Sequence, residues 1–503
     1  MTAPDAGRLT GLTHRDADWA GLRVVVTGLG ISGFAAADAL LERGAQVIVV
    51  DAGNGSTEQS ERARILGILD ADVRLGPEHV TDLPAYAEGQ VDLVVTSPGW
   101  RPDQPVLAAA ARHGIPIWGE VELAWRMRPA TGAAPWLAVT GTNGKTTTVQ
   151  MLEAILRADG LRALAVGNVG TPIIEALLDP EPYDVLAVEL SSFQLHWSES
   201  ISAMASCVLN VAPDHLDWHG GEGPYAAAKA KIYENTQVAC VYNVDDPATE
   251  AMVEEADVVE GCRAIGFTLG TPNLSMLGVV DDVLADRAFV AERKTSAAEL
   301  ATLRDLPGGA DGAPAPHLVA DALAAAALAR AYGVSTAAVQ RGLRDFRPGD
   351  HRGTELEEIG GVRFVNDSKA TNPHAAAGPL QAHASIVWVA GGQLKGADID
   401  PLVAASASRL RGVVLMGQDR AEFAAALGRH APDVPVLEVP SGDTTDVTAV
   451  MDEAIEAALS LARPGDVVLL APAAASLDMF DSYAVRGELF TASVRRRAGG
   501  AES

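Results

Sequence analysis

The chain has 503 residues, of which 48% are hydrophobic, and it carries a formal net charge of -28 at pH 7. This length allows roughly three domains, each with its own core. The strong negative charge argues against extended binding to nucleic acid or to an anionic membrane. We therefore expect a large globular protein with neither of these partners.

The cysteines bear on the cellular compartment that we expect, and the lysines indicate candidate site residues. The three cysteines (Cys207, Cys240 and Cys262) lack CxxC spacing, so the sequence supports neither a disulfide framework nor a zinc site. No apolar run reaches the roughly 18 residues that span a bilayer, and we expect a cytoplasmic protein. Only six basic residues are lysines, against 32 arginines. Because lysine alone offers a compact ammonium that can lose its proton, each lysine is a candidate site residue.

The first predicted elements are a strand, a glycine-rich turn, a helix and a second strand over residues 24–51, "VVVTGLGISGFAAADALLERGAQVIVVD". The glycines of the GxGxxG pattern (Gly28, Gly30 and Gly33) allow a tight turn that presents a helix N-terminus to a diphosphate. Asp51 then ends the second strand. The pattern by itself does not identify the ligand. A nicotinamide oxidoreductase or a nucleotide-regulated binding protein would explain this stretch and no other.

Short apolar runs alternate with helical patterns along almost the whole chain, which predicts βαβ units and parallel sheets in an α/β fold. We expect three successive sheets in three domains, with boundaries at "GEVELAWRMRPATGAAP" and "FRPGDHRGTE". Two β-hairpins are also predicted, one within residues 269–316 and one formed by "TELEEI" and "VRFVND". The predicted domains are a Rossmann-like domain (1–119), a central P-loop ATPase-type domain (120–348) and a second Rossmann-like domain (349–503).

The central domain begins with "WLAVTGTNGKTTTVQMLEAIL", residues 136–156, in which a glycine-rich turn joins an apolar strand to a helix. This is the context of a P-loop. Gly141 and Gly144 let backbone amides converge on phosphate, and Lys145 adds a positive charge. Thr146 offers a hydroxyl to Mg²⁺. The stretch predicts binding of a nucleoside triphosphate.

Acidic and imidazole side chains follow two further strands. Glu189 ends the strand of "DVLAVELSSFQL", where it is either a Mg²⁺ ligand or a structural cap. "LNVAPDHLDWHG" places His215 among three other acidic or imidazole residues, which are either solvated loop residues or part of a site. Beside a P-loop, both clusters favour a phosphoryl-transfer centre with divalent metal. Other candidate residues lie in a helical pattern or follow strands, where they could bind a carboxylate, a nucleotide or another anion. They are Lys229, Asp367, Lys369, Thr371, Lys395 and Ser476.

Taken in this order, the motifs resemble those of the Mur ligase family, the ATP-dependent amide-forming enzymes of peptidoglycan precursor synthesis. The resemblance covers nearly the whole chain. Besides "TGTNGKTT", it is carried by "GLGISG", "SPG" (97–99), "GNVG" (167–170), "VELSSFQL", "NDSKATN" and "ASLD". "NDSKATN" discriminates most, because the diaminopimelate- or lysine-adding relative has a DNPR signature there. The resemblance implies addition of D-glutamate to UDP-N-acetylmuramoyl-L-alanine, through an acyl phosphate, by a monomeric enzyme.

The resemblance also implies roles for residues at matching positions. Lys145, Glu189, His215 and Lys229 would be catalytic, and two Mg²⁺ ions would be held by Thr146, Glu189, His215 and a carbamylated Lys229. The residues expected to bind ATP are Gly141, Thr142, Asn143, Gly144, Lys145, Thr146, Thr147, Arg352 and Asp367. Those expected to bind the UDP-substrate are Gly30, Ile31, Ser32, Asp51, Ser97, Gly99 and Asn168. Those expected to bind D-glutamate are Lys369, Thr371, Lys395, Ser476 and Tyr483.

Departures from the family pattern bear on the expected contacts with adenine and with D-glutamate. Family members commonly have a His-Asn pair and a further asparagine in the helix that meets adenine, whereas this chain has His317, Leu318 and Asp321. Tyr483 stands where phenylalanine is familiar. Another amide ligase of the same superfamily, adding a different amino acid or adding glutamate to folate, stays open as an alternative, since it would differ mainly in the third domain.

Overall fold

The computed structural model describes residues 6–53, 55–87, 89–308, 313–347, 349, 351–439 and 446–500. Three sheets follow one another along the described chain, as the sequence predicts. Their contacts divide the chain into two units. The first unit takes in residues 1–211, 223–306 and 318–346, and the second takes in residues 212–222, 307–317 and 347–503.

The first sheet has five parallel strands in the order β3-β2-β1-β4-β5. This order reverses between β1 and β4, and ligands of doubly wound folds bind at the carboxyl ends of strands at such a point. The strands are β1 (Arg23–Thr27), β2 (Gln46–Asp51), β3 (Asp72–Leu75), β4 (Leu93–Thr96) and β5 (Ile117–Gly119). The helices are α1 (Ala6–Thr10), α2 (Ile31–Glu42), α3 (Thr57–Ile68), α4 (Pro105–Arg112) and α5 (Glu120–Arg126), with a 3-10 turn at Pro77–Val80.

The second sheet has nine strands in the order β14-β13-β12-β11-β10-β9-β6-β8-β7. The strands are β6 (Trp136–Thr140), β7 (Ala163–Gly167), β8 (Val185–Glu189), β9 (Ala205–Val208), β10 (Ala239–Asn243), β11 (Arg263–Phe267), β12 (Met276–Val280), β13 (Val283–Asp286) and β14 (Ala298–Thr302). All pairs are parallel except β12 with β13 and β13 with β14. The hairpin predicted within 269–316 is therefore confirmed, although residues 309–312 lie outside the described part.

Helices lie between and after the strands of the second sheet along the chain. They are α6 (Lys145–Ala158), α7 (Ile173–Leu178), α8 (Ser192–His196), α9 (Leu216–His219), α10 (Glu222–Ala230), α11 (Pro247–Glu254), α12 (Pro316–Tyr332) and α13 (Thr336–Asp345), with 3-10 turns at Lys231–Tyr233 and Leu303–Asp305. The first two sheets share one buried apolar cluster. Within it the indoles of Trp125 and Trp136 meet edge to face with centroids 4.9 Å apart. The shared cluster is consistent with the presence of both sheets in one unit.

The third sheet has six strands in the order β15-β16-β20-β17-β18-β19. They are β15 (Thr354–Glu355), β16 (Arg363–Asn366), β17 (Ile386–Ala390), β18 (Leu410–Leu415), β19 (Val436–Glu438) and β20 (Val467–Leu470). The predicted hairpin is the antiparallel pair of β15 and β16, and the other pairs are parallel. The helices are α14 (Pro373–Gln381), α15 (Asp400–Ser406), α16 (Arg420–His430), α17 (Val447–Leu461) and α18 (Tyr483–Gly500), with a 3-10 turn at Ala407–Arg409.

Candidate active site

The predicted P-loop joins β6, the strand between β8 and β9, to the N-terminus of α6. Gly144 caps α6 in the left-handed conformation, with φ 84°. A Cβ atom there would lie 2.3 Å from Oδ1 of Asp321, whose side chain packs against the loop. Glycine is therefore required on two grounds, backbone strain and space. The amides at the start of α6 face a position that suits an anion.

Asn210, which the sequence analysis did not single out, fixes the outer part of this loop. Its side chain accepts from the amide of Asn143 at 2.9 Å and donates to the carbonyl of the same residue at 3.1 Å. It follows β9, the strand beside β6. A polar residue just after a buried strand in "VLNVAPD" was the available signal, because the carboxyl ends of neighbouring parallel strands meet at one edge.

Two lysines of the P-loop region converge on one carbonyl. Lys145 Nζ donates to the carbonyls of Gly141 (2.8 Å) and Thr142 (3.0 Å). Lys229 is 1% exposed, and its Nζ also donates to the Gly141 carbonyl at 2.8 Å. The same ammonium lies 4.7 Å from the centre of the Tyr225 ring, whose hydroxyl contacts the Thr142 hydroxyl at 2.9 Å. The structure thus brings together two predicted catalytic residues from distant parts of the sequence.

Glu189 lies at the carboxyl end of β8, where the register pairs it with Val139 of β6. Its side chain is 1% exposed. Oε1 accepts from Asn168 Nδ2 at 2.8 Å, whereas Oε2 is buried and has no hydrogen-bond partner among the described residues. Burying a carboxylate oxygen without a partner is costly, so this atom fits a position where a cation or a donor from a ligand would bind.

The glycine-rich turn of the first sheet forms a close-packed cradle. A Cβ atom at Gly33 would lie 1.9 Å from the carbonyl oxygen of Gly28, and one at Gly28 would lie 2.6 Å from Ser97 Oγ. Ser97 Oγ is itself buried without a hydrogen-bond partner in the described structure. Gly30 caps the 12-residue helix α2. The elements around β1 and β4 therefore offer amides, a helix N-terminus and a buried hydroxyl to an anionic ligand.

Asp51 holds this cradle in place. Its Oδ2 accepts from the amide of Leu29 at 2.6 Å, and its Oδ1 accepts from the amide of Gly53 at 2.7 Å. The carboxylate thus holds the turn of the predicted UDP site through hydrogen bonds from backbone amides. A direct contact of Asp51 with the ligand stays a prediction, as do the ligand contacts of Ile31, Ser32 and Gly99.

In the second unit, predicted site residues follow neighbouring strands of the third sheet. Asp367 comes directly after β16 and is 9% exposed. Burial raises its pKa to about 7, although the amide of Gly353 and the charge of Arg352 act in the opposite direction. Lys369 Nζ lies 3.9 Å from the centre of the Tyr483 ring, so the tyrosine at this position makes a cation–π contact with Lys369. Thr371 lies in the same loop, where its amide donates to the Lys369 carbonyl at 2.8 Å.

Lys395 and Ser476 occupy the exits of β17 and β20. Lys395 adopts a left-handed backbone, with φ 54°. Its Nζ lies 3.4 Å from Nδ1 of His215 and 3.8 Å from Oδ1 of Asp214. Within the second unit, a residue predicted to bind D-glutamate therefore lies beside a residue predicted to bind metal. Ser476 is 3% exposed. In the described residues, no three His, Cys, Asp or Glu side chains lie close enough to share one metal ion.

Arg486 is a buried residue that the sequence analysis missed. It is 1% exposed, and burial lowers its pKa to about 9. Its guanidinium donates to the Ser368 hydroxyl (3.0 Å), the Ser368 carbonyl (2.9 Å) and the Ala474 carbonyl (3.1 Å). It therefore ties the "NDSKATN" loop to the loop of Ser476. Its spacing of three residues from Tyr483, which corresponds to about one helical turn, was the one available signal.

Family models match the three parts of the chain in order. They describe a Mur ligase MurD-like N-terminal domain (residues 22–119), a Mur ligase middle domain (139–329) and a Mur ligase glutamate ligase domain (351–474). A UDP-N-acetylmuramoylalanine–D-glutamate ligase of Streptomyces avermitilis is 56% identical over 478 residues, or 95% of this chain and 99% of the relative. A ligase of the same name from Thermobifida fusca is 56% identical over 481 residues, with the same coverage.

The chain belongs to the Mur ligase family. A solved structure of the UDP-N-acetylmuramate-alanine ligase MurC from Thermotoga maritima, at 18% identity and a TM-score of 0.54, covers 96% of this chain and 99% of its own. That likeness shows the shared fold. The predicted family, α/β fold class and ATP-dependent ligase activity are confirmed by these matches. Within the described ranges of this Mur ligase, no helix is long and apolar enough to cross a membrane.

Proposed function

We propose that this Mur ligase joins D-glutamate to UDP-N-acetylmuramoyl-L-alanine in the cytoplasm, with conversion of ATP to ADP and phosphate. The observation that carries the proposal is the P-loop beside the buried carboxylate of Glu189, in a chain 56% identical to ligases of that name. We further propose a monomer with domains at 1–119, 120–348 and 349–503. These would bind the UDP-substrate, ATP and D-glutamate respectively.

The ATP phosphates would bind at the N-terminus of α6, where loop amides and Lys145 face the same position. Lys145 Nζ donates to two carbonyls of the loop, which keep its positive charge at the loop where the phosphates would bind. Arg352 and Asp367 would contact the phosphate and ribose from the third domain. The complete proposed set is Gly141, Thr142, Asn143, Gly144, Lys145, Thr146, Thr147, Arg352 and Asp367.

The open carboxylate oxygen of Glu189 fits a cation site. We propose that Thr146, Glu189, His215 and carbamylated Lys229 hold two Mg²⁺ ions, which would neutralise charge on the phosphate oxygens when bound. Carbamylation requires a neutral amine and converts the Lys229 cation into an anion. Arginine does not lose its proton under these conditions, which accounts for a lysine at this buried position.

The reaction needs an activated carboxyl group, because a free carboxylate is a poor electrophile. The carboxylate of the UDP-substrate attacks the γ-phosphorus, ADP leaves, and an acyl phosphate forms while Lys145 stabilises the charge that develops on the transferred group. The neutral amine of D-glutamate then attacks the acyl carbon. The tetrahedral oxyanion collapses, and the bond between the acyl carbon and the phosphate oxygen breaks. Phosphate leaves with the electron pair of that bond, and the nitrogen loses one proton to give the amide.

The two other substrates would bind at the outer sheets. Lys369 and Lys395 would attract the two carboxylates of D-glutamate, and the buried Ser476 hydroxyl would donate to one of them. Thr371 and Tyr483 complete that proposed set. The UDP-substrate would lie over the cradle of the first sheet, and its proposed contacts are Gly30, Ile31, Ser32, Asp51, Ser97, Gly99 and Asn168.

Phosphate release from ATP tests the substrate assignment. The enzyme is given UDP-N-acetylmuramoyl-L-alanine with D-glutamate, L-glutamate or diaminopimelate, and an assay without the UDP-substrate serves as control. We expect phosphate release with D-glutamate alone. Turnover with another amino acid but not with D-glutamate would reject the assignment and favour a different amide ligase of the same superfamily.

A further inference from the structure

Two of the three cysteines, which are distant in sequence, are in contact in the second sheet. Cys240 is the second residue of β10 and is 2% exposed, and Cys262 directly precedes β11. Because β10 and β11 are parallel neighbours, the two thiols meet with their sulfur atoms 3.8 Å apart. The spacing in the sequence gave no sign of this pair, since the register of two strands is what brings the cysteines together.

The two thiols differ in accessibility and acidity. Cys262 is half-buried and Cys240 is buried. The hydrogen bond from the Cys240 thiol, with help from the backbone amides of Arg263 and Cys240, lowers the pKa of Cys262. The same contact and burial raise the pKa of Cys240. Since the thiolate is the reactive form of cysteine, Cys262 is the nucleophile of the pair and Cys240 is the thiol placed to react with its oxidation product.

We propose that Cys262 and Cys240 are a peroxide-reactive dithiol that closes to an intramolecular disulfide. The Cys262 thiolate attacks one oxygen of hydrogen peroxide, the O–O bond breaks, and hydroxide leaves with the electron pair to give a sulfenic acid on Cys262. Cys240 sulfur then attacks the sulfenic sulfur. The S–O bond breaks, the Cys240 proton goes to the departing oxygen, and water leaves. The net change is two thiols and one peroxide to one disulfide and two waters.

The position of the pair indicates what the disulfide would do. Both cysteines lie at the amino-terminal ends of their strands, whereas the candidate active site follows the carboxyl ends of parallel strands in the same sheet. The disulfide would join two strands that are already paired, so it would not displace the site. It would restrict the unfolded chain. The oxidised protein should therefore keep its turnover and unfold at a higher temperature, and the cysteine pair protects the protein against irreversible oxidation at Cys262.

Peptide mapping of the 503-residue protein tests this proposal independently of the substrate assignment. The reduced protein is treated with hydrogen peroxide, alkylated, digested and analysed without reductant. We expect a cross-linked peptide that contains Cys240 and Cys262, a mass lower by two hydrogen atoms, and reversal by dithiothreitol. Cys207, which is 0% exposed, should be recovered alkylated only after denaturation.

Serine variants separate the two roles. Cys207→Ser is the matched control and should cross-link like the wild type. In Cys240→Ser, Cys262 should stop at the sulfenic acid and be trapped by dimedone, whereas in Cys262→Ser the remaining Cys240 should stay reduced. The melting temperature should rise by a few degrees on oxidation of the wild type and of Cys207→Ser, and should not rise for Cys240→Ser or Cys262→Ser. Sulfinic acid on Cys262 with free Cys240 in the wild type, or three free thiols after peroxide treatment, would overturn the proposal.

Discussion

Lys145 and Lys229 donate to the same atom, the carbonyl oxygen of Gly141, at 2.8 Å each. Two ammonium groups around one oxygen repel each other, and burial of Lys229 increases that repulsion. The arrangement favours an anion beside Lys145 or a change of charge on Lys229. Both conditions are met by the proposed site, in which phosphate binds at the loop and Lys229 is carbamylated.

Lys229→Ala should reduce turnover by about 100-fold or more, because the variant lacks the group that would carry the anionic charge. Short carboxylic acids should restore part of the activity by supplying a carboxylate. Lys145→Ala should lose similar activity without such rescue, since its role is cationic. Phosphate release with and without added acetate measures both effects. Lys294→Ala, a change at an exposed lysine, is the control and should match the wild type. Unchanged turnover in Lys229→Ala would remove this residue from the mechanism.

Gly144→Ala should weaken ATP binding, because the added Cβ atom would press against a neighbouring side chain in addition to straining the backbone. The left-handed backbone costs roughly 1–3 kcal/mol for a residue with a side chain, and the added Cβ would also meet Asp321 Oδ1 at 2.3 Å. Gly160→Ala is the matched control, because Gly160 has φ 88° but no atom within 4 Å of an added Cβ. Titration with ATP and thermal unfolding should show a stability loss in both variants and an affinity loss in Gly144→Ala alone. Equal ATP affinity in the two variants would contradict the packing argument.

The parts of the site that depend on a short stretch of chain were predictable, because the motif itself fixes the geometry. The P-loop lies between one strand and one helix, so its glycines, Lys145 and Thr146 were identified from residues 136–156 alone. The place of Glu189 at the sheet edge was predictable too, since the carboxyl ends of parallel strands meet at one edge. The roles of Lys145, Thr146 and Glu189 stay predictions. The three sheets followed from the alternation of apolar runs in the same way.

The features that depend on register or on packing between distant elements were not predictable. The contact of Cys240 with Cys262 requires the pairing of β10 and β11. The shared core of the first two sheets, which includes the contact of Trp125 with Trp136, depends on how the two sheets pack. In the sequence, Arg486 cannot be distinguished from the exposed charged residues of its helix, because the residues next to it do not indicate that it is buried. In each case the decisive partner lies elsewhere in the chain.

Arg486→Met should raise KM for D-glutamate at least roughly tenfold, because each buried polar group left without its partner costs about 1–3 kcal/mol and the loops it joins would shift. KM for ATP should change less, since only Arg352 and Asp367 of the proposed ATP-binding residues lie in the unit of Arg486, whereas the P-loop lies in the other unit. Initial rates with each substrate varied in turn separate the two effects. Arg495→Met is the matched control, since Arg495 lies on the same helix with its side chain 66% exposed. Equal KM values for D-glutamate in both variants would show that Arg486 does not position the loops.

Glu120 should make the stability of the protein decrease as pH rises. It is buried at the start of α5, and burial together with the charge of Glu175 raises its pKa to about 7 from 4.5, against the effect of the amides of Ile174 and Ile173. The folded protein therefore keeps this proton at pH values where the unfolded chain loses it. Between pH 4.5 and 7 the contribution of Glu120 becomes less favourable, by about 3 kcal/mol in all. Glu120→Gln cannot ionise, so it should be more stable than the wild type at pH 8 and similar to it at pH 5.

Glu122, two residues further along α5, provides a control of opposite sign. Its carboxylate accepts from the amides of Glu199 and Ser200, from the Ser200 hydroxyl and from Arg126, and these donors lower its pKa despite burial. Its stabilising contribution is therefore present at neutral pH and is lost as pH falls through its lowered pKa. Glu122→Gln should melt below the wild type at pH 8, where Glu120→Gln melts above it. Thermal unfolding of the three proteins at pH 5 and pH 8 measures both differences, and a lower melting temperature of Glu120→Gln at pH 8 would show that the Glu120 carboxylate is stabilised in the folded protein.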